Sequence, residues 1–124
     1  MAVSPDYAAY VLEQLGRTGA TSRKMFGGMG LYIDGLFFAL IDDDCLYFKV
    51  DEQTRADFAG RDTQPWMPPG ATWTTPGYMS VPSEVIEDPD DLTEWARKAV
   101  GVAARKAAKK PQPKPRQPKT KRKS

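Results

Sequence analysis

The sequence predicts an α+β fold, with one antiparallel sheet of about five strands and helices packed on it in the order α-β-β-β-α-β-β-α, followed by a flexible basic tail. Three observations predict it. Apolar runs flank Asp34-Gly35, and a two-residue hairpin turn needs residues that tolerate positive φ. Apolar residues recur at helical spacing near both ends, at Tyr7, Val11, Leu12 and Leu15 and again at Leu92, Trp95, Ala96, Ala99, Val100 and Ala103. From Pro111 onward no core-forming residue remains, while proline and cations dominate.

Ser4-Pro5-Asp6 starts the first helix, with Ser as N-cap, Pro at the first helical position and an acid in the first turn. Gly16 or Gly19 ends it. Residues 22–50 then organise the chain as two strands closed by Asp34-Gly35 and a third after the Asp42-Asp43-Asp44 turn. Leu31 and Ile33 fall on one face of the first strand, Gly30 and Tyr32 on the other. The middle strand, residues 36–41, is apolar throughout and is expected to be covered on both faces. In the third, Leu46, Phe48 and Val50 alternate with Cys45, Tyr47 and Lys49, giving a dry side and a wetter one.

Asp51 caps a short helix through Phe58, a surface element with one large apolar anchor. Prolines at 65, 68, 69, 76 and 82 confine two short strands, 65–67 and 78–81, to edge positions or strand starts. Trp66 and Trp73 are expected half exposed, and Trp95 in the core. A helical turn at 81–86 precedes Asp88-Pro89-Asp90-Asp91, which opens the last helix. Gly101 costs a helix roughly 1 kcal/mol relative to Ala, so fraying beyond it is expected.

The division into a domain at 1–104 and a tail at 105–124 follows charge as well as pattern. Residues 1–104 hold sixteen acids against eight cations, a net −8, whereas residues 105–124 hold ten cations and no acid. Such asymmetry speaks about partners rather than fold. No apolar run approaches the roughly 20 residues that span a bilayer, so no membrane association is expected and a cytoplasmic location is.

The acid–base inventory is poor. The chain has no histidine, which excludes Ser-His-Asp and Cys-His triads and His-ligated metals. Cys45, alone, forms no internal disulfide, and at the start of an apolar strand it reads as an inert thiol. Asp42, Asp43 and Asp44 lack the spacing of a calcium loop and read as a solvated turn. Neither metal nor cofactor is expected. Gly27-Gly28-Met29-Gly30 precedes a strand rather than opening a helix, which fits neither nucleotide-binding fingerprint. A bulge or close backbone crossing accounts for these glycines, with a small anion nest beside Arg23 and Lys24 as the competing reading.

The tail cations are Arg105, Lys106, Lys109, Lys110, Lys114, Arg116, Lys119, Lys121, Arg122 and Lys123. They suit phosphate neutralisation and counterion release. With about half engaged, the log–log salt slope on duplex DNA is expected at about −4 to −5. Without aromatics or a fold the tail cannot read bases, so the grip is sequence-independent. Competing readings are a solubilising tail and one folded back on the acidic body.

The run Arg23-Lys24-Met25-Phe26-Gly27-Gly28-x-Gly30, with Tyr32, Gly35, Phe38-Ala39, residues 46–51, Tyr78, Val81-Pro82 and Leu92-x-x-Trp95-Ala96, resembles the N-terminal domain of the TfoX/Sxy family over about residues 6–104. The resemblance implies a secretion-chaperone-like order of elements and a non-enzymatic regulator of natural competence, acting with the cyclic-AMP receptor protein at certain promoters. It places Arg23, Lys24, Phe26, Gly27, Gly28, Gly30, Tyr32, Lys49 and Tyr78 at motif positions, candidates for a partner surface. Longer members carry a helical second domain where this sequence has the basic tail. The expectation is a DNA-associated regulator or adaptor, with a chaperone-like or scaffold domain tethered to RNA or ribosomes as the alternative.

Overall fold

The computed structural model describes residues 4–25 and 28–109. Helix α1 (Pro5–Gln14) begins as its sequence dictates: the Ser4 hydroxyl accepts from the Tyr7 amide at 3.2 Å, with Pro5 in the first turn. A short 3-10 turn (Gly16–Thr18) and Gly19 at φ 74° lead into the sheet. The strands are β1 (Thr21–Met25), β2 (Gly28–Ile33), β3 (Leu36–Asp42), β4 (Cys45–Lys49), β5 (Pro65–Trp66) and β6 (Thr75–Ser80). They form one antiparallel sheet in the order β1-β2-β3-β4-β6-β5. The α+β class holds, with six strands where about five are expected. The additional strand is β1, whose Arg23 and Lys24 precede the glycines and pair back on β2.

Both tight hairpins rest on left-handed residues, Asp34 and Gly35 at φ 52° and 78°, Asp43 and Asp44 both at φ 54°. Aspartate tolerates that region because its short polar side chain satisfies nearby groups. Asp44 does so by accepting from the Ser4 amide at 2.7 Å, which ties the start of α1 to the β3–β4 turn.

Strand β3 carries the feature that shapes the sheet. Its pairing with β2 steps from Leu31 opposite Ala39 to Tyr32 opposite Phe37, leaving Phe38 as an inserted residue. Phe38 therefore turns to the same side as Ala39, is fully buried, and meets the Phe48 ring at 5.7 Å. On that side Leu31, Ala39, Ile41, Leu46, Phe48 and Val50 pack against Val11 and Leu15 of α1 and against the last helix, α4 (Pro89–Lys109). This one layer of helix on one sheet face is the core.

Helix α2 (Arg55–Phe58) is one turn, preceded by a cap in which the Asp51 carboxylate accepts from the amides of Gln53 and Thr54. Its Phe58 meets Trp95 edge-on at 4.8 Å. Trp95 is half-buried, with the Arg61 guanidinium 5.2 Å from its ring, so it forms a shelf at the margin rather than a core residue. Strand β6 starts three residues earlier than the prolines suggest. Pro76 is tolerated because pairing with β5 breaks between Met79 and Thr75, where no ladder N–H is required.

Helix α3 (Ser83–Ile86) occupies the expected helical turn, and the Asp88 carboxylate caps α4 through the amides of Asp90 and Asp91. Past Gly101, α4 continues to Lys109 instead of fraying. Val102 and Ala103 are buried there, and Arg105 donates from Nε and Nη2 to Asp51 Oδ2, both at 2.8 Å. Burial and an ion pair outweigh one glycine.

Candidate functional site

Because the helices lie on one side, alternation along the strands presents a second face. Strand register places Thr21, Tyr32 and Phe37 across it in one row, with Lys49 and Tyr78 beyond. A second row runs through Arg23, Gly30, Leu40, Tyr47 and Ser80. Among the described elements the last turns of α4 reach the edge of this face, beside Phe37, Lys49 and Tyr78.

Five aromatic rings form a continuous chain on it. Tyr32 and Phe37 lie 5.4 Å apart, Phe37 and Tyr78 6.1 Å, Tyr78 and Trp66 5.6 Å in an edge contact, and Trp66 and Tyr47 6.5 Å. All five are half-buried. Cations edge the chain: the Arg23 guanidinium sits 5.4 Å from the Tyr32 ring and the Lys49 ammonium 4.9 Å from Phe37. Tilted rings under cations are favourable arrangements in themselves and leave π surface at the boundary with water. At the far margin the Trp66 indole N–H donates to Asp42 Oδ2 at 3.0 Å, while Asp42 Oδ1 is buried without a hydrogen bond. Asp42 is thus a packed strand residue rather than part of a solvated turn.

Two glycines make the face possible. A Cβ on Gly28 would stand 2.4 Å from the Ile41 carbonyl oxygen, so the close backbone crossing is realised there. A Cβ on Gly30 would meet Met25 Cε at 2.7 Å and Phe37 Cε1 at 2.9 Å, so its absence lets those side chains close over β2. Arg23 and Lys24 alternate on β1 and do not converge on the glycines. Arg23 lies opposite Gly30, Lys24 opposite Met29 on the other face.

Burial favours the protonated form of two hydroxyls and one thiol around the face. Burial pushes the Tyr78 hydroxyl up, with nearby Tyr32 adding to it. Tyr47 is raised by burial and then by Cys45, and the Cys45 thiol is raised by burial despite its hydrogen bond with Tyr47. Cys45 is accordingly a thiol rather than a thiolate nucleophile. Among the described residues no three acids, cysteines or histidines are gathered to hold a metal, and no helix is long and apolar enough to cross a membrane.

Of the motif positions, Arg23, Gly28, Gly30, Tyr32, Lys49 and Tyr78 come together on this one face. Lys24 does not. Phe26 and Gly27 lie outside the described residues. The family model of the TfoX N-terminal domain matches residues 11–103. The chain belongs to the TfoX N-terminal domain family. No curated protein matches the sequence. The TfoX match spans every strand of the sheet and most of α4, so the whole aromatic face lies within it.

Two residues of the face, Phe37 and Tyr47, escape the sequence reading, and Trp66 is read there only as half exposed, which it is. Phe37 is hidden in an unbroken apolar run whose bulge has no sequence mark, and Trp66 sits in a proline-rich stretch with no periodicity. Tyr47 shows one signal, its place on the wetter side of β4. Of the ten tail cations, Arg105 is in α4 and committed to Asp51, and Lys106 lies on the same helix. Lys109 ends α4. Lys110, Lys114, Arg116, Lys119, Lys121, Arg122 and Lys123 lie outside the described residues.

Proposed function

We propose that the chain is a non-enzymatic regulatory adaptor of the TfoX/Sxy type, acting in competence or transcription in the cytoplasm and at the nucleoid. The observation that carries it is the convergence of six motif residues on one aromatic, cation-edged face of the sheet, the face opposite the helical layer. A surface of half-buried rings edged by cations suits recognition of a partner. The tail following α4 adds affinity for DNA that is indifferent to sequence and raises the local concentration of the folded domain there. The cyclic-AMP receptor protein or another part of the transcription machinery is the partner that membership of this family suggests.

The test is crosslinking of the full chain in cells, with recovered protein and nucleic acid both identified. Promoter DNA recovered together with RNA polymerase or the receptor protein supports the regulator. A second reading, a chaperone-like scaffold held on RNA, is favoured by one observation: Met67 and Trp73 of the proline-rich loop are 50% and 62% exposed, apolar surface suited to a protein segment. Recovery of ribosomal RNA in place of promoter DNA would select that reading.

A further inference from the structure

Where the last turns of α4 pass the β2–β3 hairpin, the aromatic face ends in a cleft of about 350 Å³, lined among others by Phe37, Lys49 and Tyr78 from the sheet and by Ala103 and Lys106 from α4. Two lysines and no acid line it. The volume falls in the range of about 300–1,000 Å³ typical of small-ligand sites.

We infer that this cleft seats one nucleotide unit of a single-stranded nucleic acid, its base against the Phe37–Tyr78 rings and its phosphates on Lys49 and Lys106. The inference deepens the proposed function and rests on the outer face being a recognition surface. Ring faces beside ammonium groups match the two parts of a nucleotide, a π surface and an anion, and base–aromatic stacking needs no sequence. The rings are half-buried, so a base must leave its own stack to reach them, which a duplex resists and a single strand does not. Chain connectivity adds a third argument. The cations of residues 109–123 begin one turn of helix after Lys106, so a strand held in the cleft lies where the tail departs. An acidic peptide would match the charge of the lysines but leave the rings without a stacking partner.

The experiment uses the full chain and an oligothymidylate of about twelve nucleotides, within the span that single-strand binding folds cover. It carries one 5-bromodeoxyuridine, and affinity is read by anisotropy at about 0.3 M salt, where the tail's contribution is screened. Expected are photocrosslinks at Phe37 or Tyr78, tighter binding of the single strand than of the matching duplex, and about a tenfold loss in K49Q/K106Q. K106Q alone, at an exposed helical position that cannot disturb the core, is expected to lose about threefold. Crosslinks confined to residues 109–123, or affinity unchanged in both variants, overturn the cleft while leaving the tail-bearing regulator standing. Protection of Phe37 and Tyr78 from hydrogen exchange by polyglutamate but not by the oligonucleotide overturns it in favour of an acidic protein segment. Binding of neither probe to the face, with promoter recovery in cells unaffected by Tyr32→Ser and Tyr78→Ser, removes the recognition surface itself and the inference with it.

Discussion

Gly28 and Gly30 are two residues apart and bear very different constraints. At Gly28 the obstacle to a side chain is the Ile41 carbonyl oxygen, fixed in the sheet backbone. At Gly30 the nearest obstacle is the end of Met25, which can rotate away. Gly28→Ala is therefore expected to cost about 3 kcal/mol, the upper end of overpacking penalties, and Gly30→Ala about 1 kcal/mol, both read by urea denaturation. Equal costs would show that the crossing at Ile41 relaxes freely. A second residue-scale test concerns the indole of Trp66. Trp66→Phe keeps the ring stack but deprives Asp42 of its described donor, leaving a partly buried carboxylate to be satisfied by water. A loss of about 1–3 kcal/mol is expected, and Asp42→Asn in the Trp66→Phe background should restore part of it.

At the scale of elements, the last turns of α4 depend on Asp51, which stands two residues after the end of β4 and pairs with Arg105. Burial alone would raise the Asp51 carboxyl, but the hydrogen bond from Arg105 and the amides of Gln53 and Thr54 outweigh it and hold it below the usual carboxylate value. A group whose folded value is depressed stabilises the fold above its unfolded value, about 3.9, and that contribution fades as pH falls through the folded value. Asp51→Asn should thus speed amide exchange at 102–109 at neutral pH, and the difference from wild type should close in the acid range. A difference that persists unchanged at low pH would mean that the ion pair does not hold the helix end. The same element shows what the sequence could and could not reveal. Capping residues, hairpin aspartates and the helical stripes are local signals, and the corresponding elements stand where those signals put them. The continuation of α4 past Gly101 depends on Arg105 meeting a residue 54 positions away, and the bulge at Phe38 depends on register between strands. Neither has a local sign. Strand β1 is polar and exposed because it is an edge, so it lacks the alternation by which strands are recognised.

For the whole molecule, the site was legible only in part. Motif resemblance named Arg23, Gly28, Gly30, Tyr32, Lys49 and Tyr78, but their convergence, and their union with the rings of Phe37, Trp66 and Tyr47, required the sheet. The fold also revises the charge count of the tail. With Arg105 paired to Asp51 and Lys106 at the cleft, eight of the ten cations remain beyond it. The measurement that bears most directly on a recognising domain joined to an unselective cationic tail is the salt dependence of duplex DNA affinity. It should be made for the full chain and for a version with the cations of 109–123 changed to glutamine. With about half of the eight on phosphates, the full chain should give a log–log slope of about −3.5 and the neutralised version a slope near zero. A slope that survives neutralisation, or a full chain without duplex affinity at low salt, would contradict the account.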